Sequence, residues 1–140
     1  MNIEIETPGD DAYKTLNESL VAFNRSKVEW RTDTFTAALR DENGTLRGGA
    51  HGVVRMGAVE IRGLWLDEDL RRGGLGERIV RAVEEEAHRR GAGAALLDTY
   101  EFQARGFYER LGYTCFGSFA YPNGTRRFYL SRTLRSGGGA

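Results

Sequence analysis

The chain has 140 residues, of which 40% are hydrophobic, enough for one ordinary domain with a real core. Twenty basic and twenty acidic residues leave zero net charge, which argues against a nucleic-acid partner held by bulk phosphate attraction. A single cysteine, Cys115, excludes an internal disulfide or multi-cysteine zinc site, and two isolated histidines, His51 and His88, leave no metal centre to expect.

In chain order the residues predict alternating strands and helices. The opening MNIEIETPGDD lacks the basic-then-apolar pattern of a secretion signal, and Ile3 and Ile5 alternate with Glu4 and Glu6 as in a strand. Asp10 or Asp11 can cap a helix carrying Leu16, Leu20 and Phe23 on one side. Residues 1–45 hold nine acids against five bases, a local balance of −4. After an uncertain stretch around Trp30, TFTAALR and TLRGGAHGVVR flank Asp41-Glu42-Asn43-Gly44, a hairpin signal because Asn-Gly tolerates positive φ. AVEIRGLWL (58–66) is a third strand, so three successive antiparallel strands are expected.

From Gly74 to Arg90 the pattern becomes helical, with Leu75, Ile79, Val83 and Ala87 every fourth residue. Glu77/Arg81, Arg81/Glu85, Glu85/Arg89 and Glu86/Arg90 stand at i,i+4. His88, Arg89 and Arg90 place cations at the helix end, and Gly91 is the expected C-cap glycine. The apolar stretch Gly91 to Leu97 is far shorter than the roughly 20 residues of a membrane span, so a cytoplasmic protein with no membrane partner is expected. AALLDT (94–99) reads as a buried strand; Ala104, Phe107, Tyr108 and Leu111 share one side of a short helix stopped by Gly112. YTCFGSFAY, with Cys115 packed in a strand, and TRRFYLSRTL form a last hairpin through Pro122-Asn123-Gly124. One domain over 1–134 and a disordered tail over 135–140 are expected.

The segment RRGGLG (71–76) lies between a strand and a helix. Such a turn presents unpaired backbone N–H groups and the positive end of the helix dipole, an anion site. Gly74 and Gly76 remove side chains that would hold a pyrophosphate away, while Arg71 and Arg72 add charge. A Walker A loop is weakened because no Gly-Lys-Ser/Thr follows, and a Rossmann turn because Ile79 stands where a third glycine belongs.

Arg71-x-x-Gly74-x-Gly76, after a strand ending Leu64-Trp65-Leu66, resembles the Gln/Arg-x-x-Gly-x-Gly/Ala signature of the GNAT superfamily of N-acetyltransferases. GFYERLGY (106–113) is similar to the Phe/Leu-Tyr-x-x-x-Gly-Phe/Tyr segment of that superfamily's penultimate helix. The resemblance implies an α/β fold of the α+β mixed-sheet kind, the GNAT fold, with a mostly antiparallel sheet of six to seven strands and about four helices. It implies acetyl-coenzyme A as acyl donor, no metal, and a cradle for its pyrophosphate made by Arg71, Arg72, Gly73, Gly74, Leu75 and Gly76. The backbone of Leu64, Trp65 and Leu66 would pair with the pantetheine arm. Two residues depart from the family pattern: Glu77, where a small or hydroxylic residue is common, and Glu101, where many members have a cofactor-contacting asparagine that Gln103 can replace.

The resemblance also implies roles in chemistry. An alkylamine of pKa roughly 10 needs a base. Glu60, eleven residues before Arg71, has the offset of the glutamate base in the histone-acetylating branch, with Asp98 in reserve. Tyr108 matches the tyrosine that protonates the leaving thiolate. Tyr100, Tyr121, Trp30 and His51 can line the acceptor side, although core packing is the first expectation for each. The function implied is N-acetyl transfer to a primary amine of a small molecule in a ternary complex, the acidic N-terminal third favouring cationic amines. Acetylation of protein amines, a non-catalytic acyl-coenzyme A module and a homodimeric assembly stay open.

Overall fold

Alternating apolar and polar residues from Asp33 onward build one six-stranded sheet with spatial order β1-β2-β3-β4-β6-β5 in the computed structural model, which describes residues 1–7, 9 and 11–135. The strands are β1 (Asp33–Arg40), β2 (Leu46–Arg55), β3 (Ala58–Leu66), β4 (Ala94–Tyr100), β5 (Thr114–Ala120) and β6 (Arg126–Thr133). The helices are α1 (Asp11–Arg25), α2 (Leu75–Arg89) and α3 (Arg105–Arg110), with a 3-10 turn over Glu68–Leu70. All neighbouring strands run antiparallel except β3 and β4, so the mixed α/β class expected from sequence is present.

The chain divides into two compact units, Met1–Arg31 and Thr32–Ala140. The first contains α1, on which Leu16, Leu20 and Phe23 recur at helical spacing. The strand expected at Ile3 and Ile5 does not form, because two alternating isoleucines are too short a run to order a strand alone. Asp10, one of the two expected caps, and the tail 136–140 lie outside the described residues; α1 begins at Asp11.

In the second unit the turns follow side-chain chemistry. Between β1 and β2, Asp41 Oδ1 accepts the N–H groups of Asn43 at 2.9 Å and Thr45 at 3.0 Å, and Gly44 takes φ +81°. This is a three-residue loop with only the glycine left-handed, rather than a two-residue Asn-Gly turn. The β5–β6 turn has the same length, closed by Tyr121 and Thr125, but takes its brace from Asn123, whose Oδ1 accepts Thr125 N–H at 2.9 Å, with Gly124 at φ +91°.

The apolar stripe of α2, Ile79, Val80, Val83 and Ala87, packs on one face of the sheet against Ala50, Val54, Val59, Ile61, Ala95, Leu97 and Leu130. Tyr108, Leu111 and Tyr113 complete that core. Helix α2 stops as expected: Gly91 has φ +97°, its N–H bonds His88 O at 3.0 Å, and Ala92 N–H bonds Ala87 O at 2.9 Å, a Schellman closure. The charged residues choose other partners than simple i,i+4 spacing suggests. Arg90 does pair with Glu86, but Arg89 also turns to Glu86 and Arg81 to Glu84, since three-residue spacing is equally adjacent on a helix.

Glu84 is the buried member of this set, 5% exposed. Its Oε1 accepts from Arg81 at 2.8 Å and from Arg132 of β6 at 3.0 Å, and its Oε2 accepts from the Tyr113 hydroxyl at 2.6 Å. A buried carboxylate is stable only when so satisfied. Burial, and then the bond to Glu84, raise the Tyr113 pKa; burial raises that of Tyr108 to about 12.

Both shifts predict an alkaline weakness. A tyrosine near pKa 10 in the unfolded chain but higher in the fold stabilises fully below about pH 10 and progressively less as pH rises toward its folded value. The urea unfolding free energy should fall above about pH 10, and less steeply in Tyr113→Phe. At neutral pH Tyr113→Phe should cost about 1–3 kcal/mol, because a buried carboxylate oxygen loses its donor.

Candidate active site

Parallel strands β3 and β4 pair only at Ala58↔Ala94, Val59↔Ala95 and Glu60↔Leu96. Both strands continue, β3 to Leu66 and β4 to Tyr100, each still paired on its far edge with β2 or β6. Between His51↔Arg62 and Gly49↔Trp65, β3 carries one extra residue, and Gly63 there has φ +66°. Such a bulge bends its strand. A wedge therefore opens between β3 and β4, lined by backbone edges that have no strand partner.

The turn into α2 stands at the end of β3. Arg47 clamps its first part, its Nε bonding Asp67 at 2.7 Å and its Nη2 bonding Asp69 at 2.7 Å. These bonds hold both carboxyl groups below the usual carboxylate range. Trp65 Nε1 donates to Asp67 at 3.1 Å, and Arg71 Nε donates to Leu66 O at 2.8 Å while its guanidinium lies 4.8 Å from the Trp65 ring centre. Leu66 O is thus already engaged by Arg71. Arg72 and Gly74 are left-handed, φ +69° and +86°. Gly74 caps α2 with no side-chain hydrogen bond, so the first-turn N–H groups of a 15-residue helix have no side-chain acceptor. Exposed Arg72, Gly73 and Gly74 surround that end, and a Cβ on Gly76 would lie 3.4 Å from the Phe107 ring. Bare amides, small residues and arginines suit an anionic phosphate group; Glu77, exposed in the same first turn, is the opposing charge.

Tyr108 comes from the helix side of the sheet. It is 7% exposed, with Phe107 and Tyr113 packed edge-on at 5.1 and 5.9 Å. After burial, the second cause of its raised pKa is the Asp98 carboxylate. Asp98 itself belongs to the opposite face, with Glu60, Arg62, Tyr100, Arg127 and Tyr129, since Val59, Ile61, Leu97 and Leu130 take the helix side. Both candidate bases are paired there. Arg62 binds Glu60 with two bonds, 2.9 and 3.1 Å, and Arg127 binds Asp98 at 2.9 Å.

The expected acceptor-side aromatics are not core residues. Tyr100, Tyr121 and His51 are half-buried; His51 Nδ1 shares a 2.9 Å hydrogen bond with Thr36 Oγ1. Trp30 lies in the first unit. Gln103 Oε1 accepts from Tyr100 N–H at 2.8 Å and from the Thr99 hydroxyl at 3.1 Å, leaving its amide nitrogen for other contacts. Glu101 accepts Arg126 N–H at 3.0 Å and so anchors the start of β6. Among the described residues no group of three or more His, Cys, Asp or Glu is arranged to hold a metal ion.

The family model described as Acetyltransferase (GNAT) family matches residues 6–113. The chain belongs to the GNAT family. It is 36% identical over 95 residues to blasticidin-S acetyltransferase of Streptomyces morookaense, covering 66% of this chain and 70% of that protein. An acetyltransferase of Agrobacterium fabrum is 30% identical over 120 residues, covering 84% and 88%. A crystal structure of an acetyltransferase from Bacillus cereus superposes with TM-score 0.85 at 26% identity, covering 94% of this chain and 98% of that one. An aminoglycoside 6'-N-acetyltransferase complexed with coenzyme A shares the fold, at TM-score 0.64 and 19% identity over 89% and 81% of the two chains.

Two contributors escaped the sequence reading. Arg47 acts across twenty residues, a spacing that no local pattern marks. Gly48 is needed because a Cβ there would lie 2.8 Å from Trp65 O; the glycines of TLRGGAHG were the available signal.

The GNAT turn makes a stability test. Gly74→Ala forces a left-handed alanine and should cost about 1–2 kcal/mol. Gly73→Ala has no positive φ and meets nothing nearer than Leu70 O at 3.9 Å, so its urea midpoint should stay near that of the parent protein.

Proposed function

We propose that this GNAT chain is an N-acetyltransferase that moves acetyl from acetyl-coenzyme A to a primary amine of a small molecule, directly, within a ternary complex. The observation that carries the reading is the wedge between β3 and β4 with the uncapped α2 turn at its mouth. The coenzyme A complex of a protein with the same fold, and the blasticidin-S named as the substrate of a relative, support donor and acceptor class respectively.

When bound, acetyl-coenzyme A supplies a thioester whose carbonyl carbon takes the amine. The amides of Gly73 to Gly76, with Arg71 and Arg72, receive the pyrophosphate, and the free edge of Leu64 and Trp65 receives the pantetheine amides. Glu60 takes the amine proton, directly or through water, on lone pairs that Arg62 leaves open, since a carboxylate has about four acceptor sites. Asp98 is the alternative base.

Tyr108 offers a hydrogen bond to the sulfur as the C–S bond breaks. With its pKa pushed up to about 12, it keeps its proton throughout the working pH range. Full transfer to a thiolate near pKa 8.5 is uphill by roughly three to four units, so stabilisation of developing charge is its larger contribution.

Coenzyme A release across a panel of amines tests the function; no release with any amine, despite acetyl-coenzyme A binding, would instead establish a binding module. Tyr108→Phe should lower kcat by about 10²–10³ with KM for acetyl-coenzyme A nearly unchanged; equal loss in both would make it a packing residue. Gly76→Asp, if still folded by circular dichroism, should weaken acetyl-coenzyme A binding at least tenfold, about 1.4 kcal/mol by calorimetry.

A further inference from the structure

The sheet face opposite α2 carries aromatic rings that the transfer chemistry above leaves unused. At the open end of β4, Tyr100 stacks on Phe102 with ring centres 5.4 Å apart and planes 6° from parallel. The outer ring of that stack is open to solvent, Phe102 being 73% exposed. Across the β5–β6 hairpin, Tyr121 stands 5.9 Å from Tyr100 and meets Phe119 edge-on at 5.0 Å; Phe119 is 51% exposed.

Arg127 fastens these rings together. Its guanidinium lies 5.6 Å from the Tyr100 ring centre, donates to the Tyr121 hydroxyl at 3.4 Å, and is paired with Asp98 at 2.9 Å. The buried Nε of Arg127 has no hydrogen-bond partner, so that side of the group is held by ring faces. The side-chain interaction between Tyr100 and Tyr121 raises the pKa of Tyr100 and lowers that of Tyr121. The cluster is therefore pre-organised before any ligand arrives, which reduces the ordering cost of binding.

Its place is set by Asp98. Asp98 lies on β4 two residues beyond Leu96, the last position paired with β3, and so stands on the edge of the wedge. The aromatic platform thus borders the gap in which transfer would occur, on the face that also carries Glu60. A solitary exposed phenylalanine needs no explanation. Four aromatic rings in mutual contact beside the gap, two of them held by one arginine, present flat π surface in a fixed orientation, which stacks best on another flat π system.

We propose that Tyr100, Phe102, Phe119 and Tyr121, held by Arg127 and Asp98, form the acceptor platform, and that the preferred acceptors carry an alkylamine beside a planar, conjugated ring. This rests on the acetyltransferase reading and adds a ring class to it.

The test uses a matched pair, benzylamine and its saturated counterpart cyclohexylmethylamine, with the intact chain. By coenzyme A release, benzylamine should have the higher kcat/KM by about three- to tenfold, the range of an aromatic pair. Phe102→Ala should erase that advantage by lowering benzylamine kcat/KM more than cyclohexylmethylamine kcat/KM, with KM for acetyl-coenzyme A unchanged. Equal turnover of the two amines by the parent protein, or equal loss of both in Phe102→Ala, overturns the platform. Because turnover depends on the wider reading, ring binding is also followed by NMR shifts of aromatic protons in the coenzyme A complex. Benzylamine shifts that vanish in Phe102→Ala without turnover would uphold the platform and refute the transferase. Turnover with neither a preference nor ring shifts would uphold the transferase and refute the platform.

Discussion

Three rungs of parallel pairing, ending at Glu60 and Leu96, are the constraint on which the site depends. A parallel pair needs a crossover, here α2, and a crossover helix returns antiparallel to its strands. The C-terminal ends of β3 and β4 and the N-terminal end of α2 must then meet at one edge of the sheet. Early loss of pairing opens the wedge at that same edge, so strand edges needing partners and helix amides needing an anion face a common space. Extending the pairing to Leu66 and Tyr100 would satisfy the strands and close the cavity.

Such a sheet is weak where it parts, and α2 bridges the weakness. Its stripe packs on β2 and β3, while Glu84 reaches β6 through Arg132 and Tyr113 beyond α3. A carboxylate buried among two guanidinium groups and a phenol is costly to desolvate and returns little net stability compared with apolar packing. It adds direction: a slip of α2 along the sheet strands a charge, whereas a slip of apolar side chains only repacks them. That restoring force is what a turn required to hold backbone amides in place demands of the helix behind it.

Much of this was legible because it is local. The Gly91 closure, the Asp41 and Asn123 turns, and the apolar period of α2 each depend on residues within one or two turns of chain. What escaped depends on distance. Alternation runs unbroken through Glu60-Ile61-Arg62, so nothing in β3 announces where β4 departs. The β2–β3 turn uses Met56 at φ +51° with Gly57 at φ +78°, a left-handed methionine that no turn preference suggests. No local pattern in the sequence marks Arg47 or Arg127; their roles appear only when the strands bring Asp67, Asp69 and Asp98 alongside. The candidates Arg71 to Gly76 and Tyr108 came from resemblance to the family's motifs, whereas the engagement of Arg71 with Leu66, and of Gln103 with its own turn, is a property of packing.

The same short turn sets both sides of the wedge. Thr99 is buried on the helix side, and its hydroxyl donates to Gln103 Oε1 at 3.1 Å while receiving Ala104 N–H at 3.3 Å. Gln103 Oε1 also receives Tyr100 N–H, and Ala104 O receives Tyr108 N–H at 3.2 Å. Tyr100 on one face and Tyr108 on the other therefore hang from a single hydrogen-bonded knot that spans Thr99 to Ala104. Polar side chains that compete with regular backbone pairing end strands and begin helices; here they end β4 and start α3 with almost no slack. A reacting centre between the two faces needs both positioned to within a fraction of an ångström. One covalent turn, braced by Thr99 and Gln103, provides that more directly than two elements positioned separately.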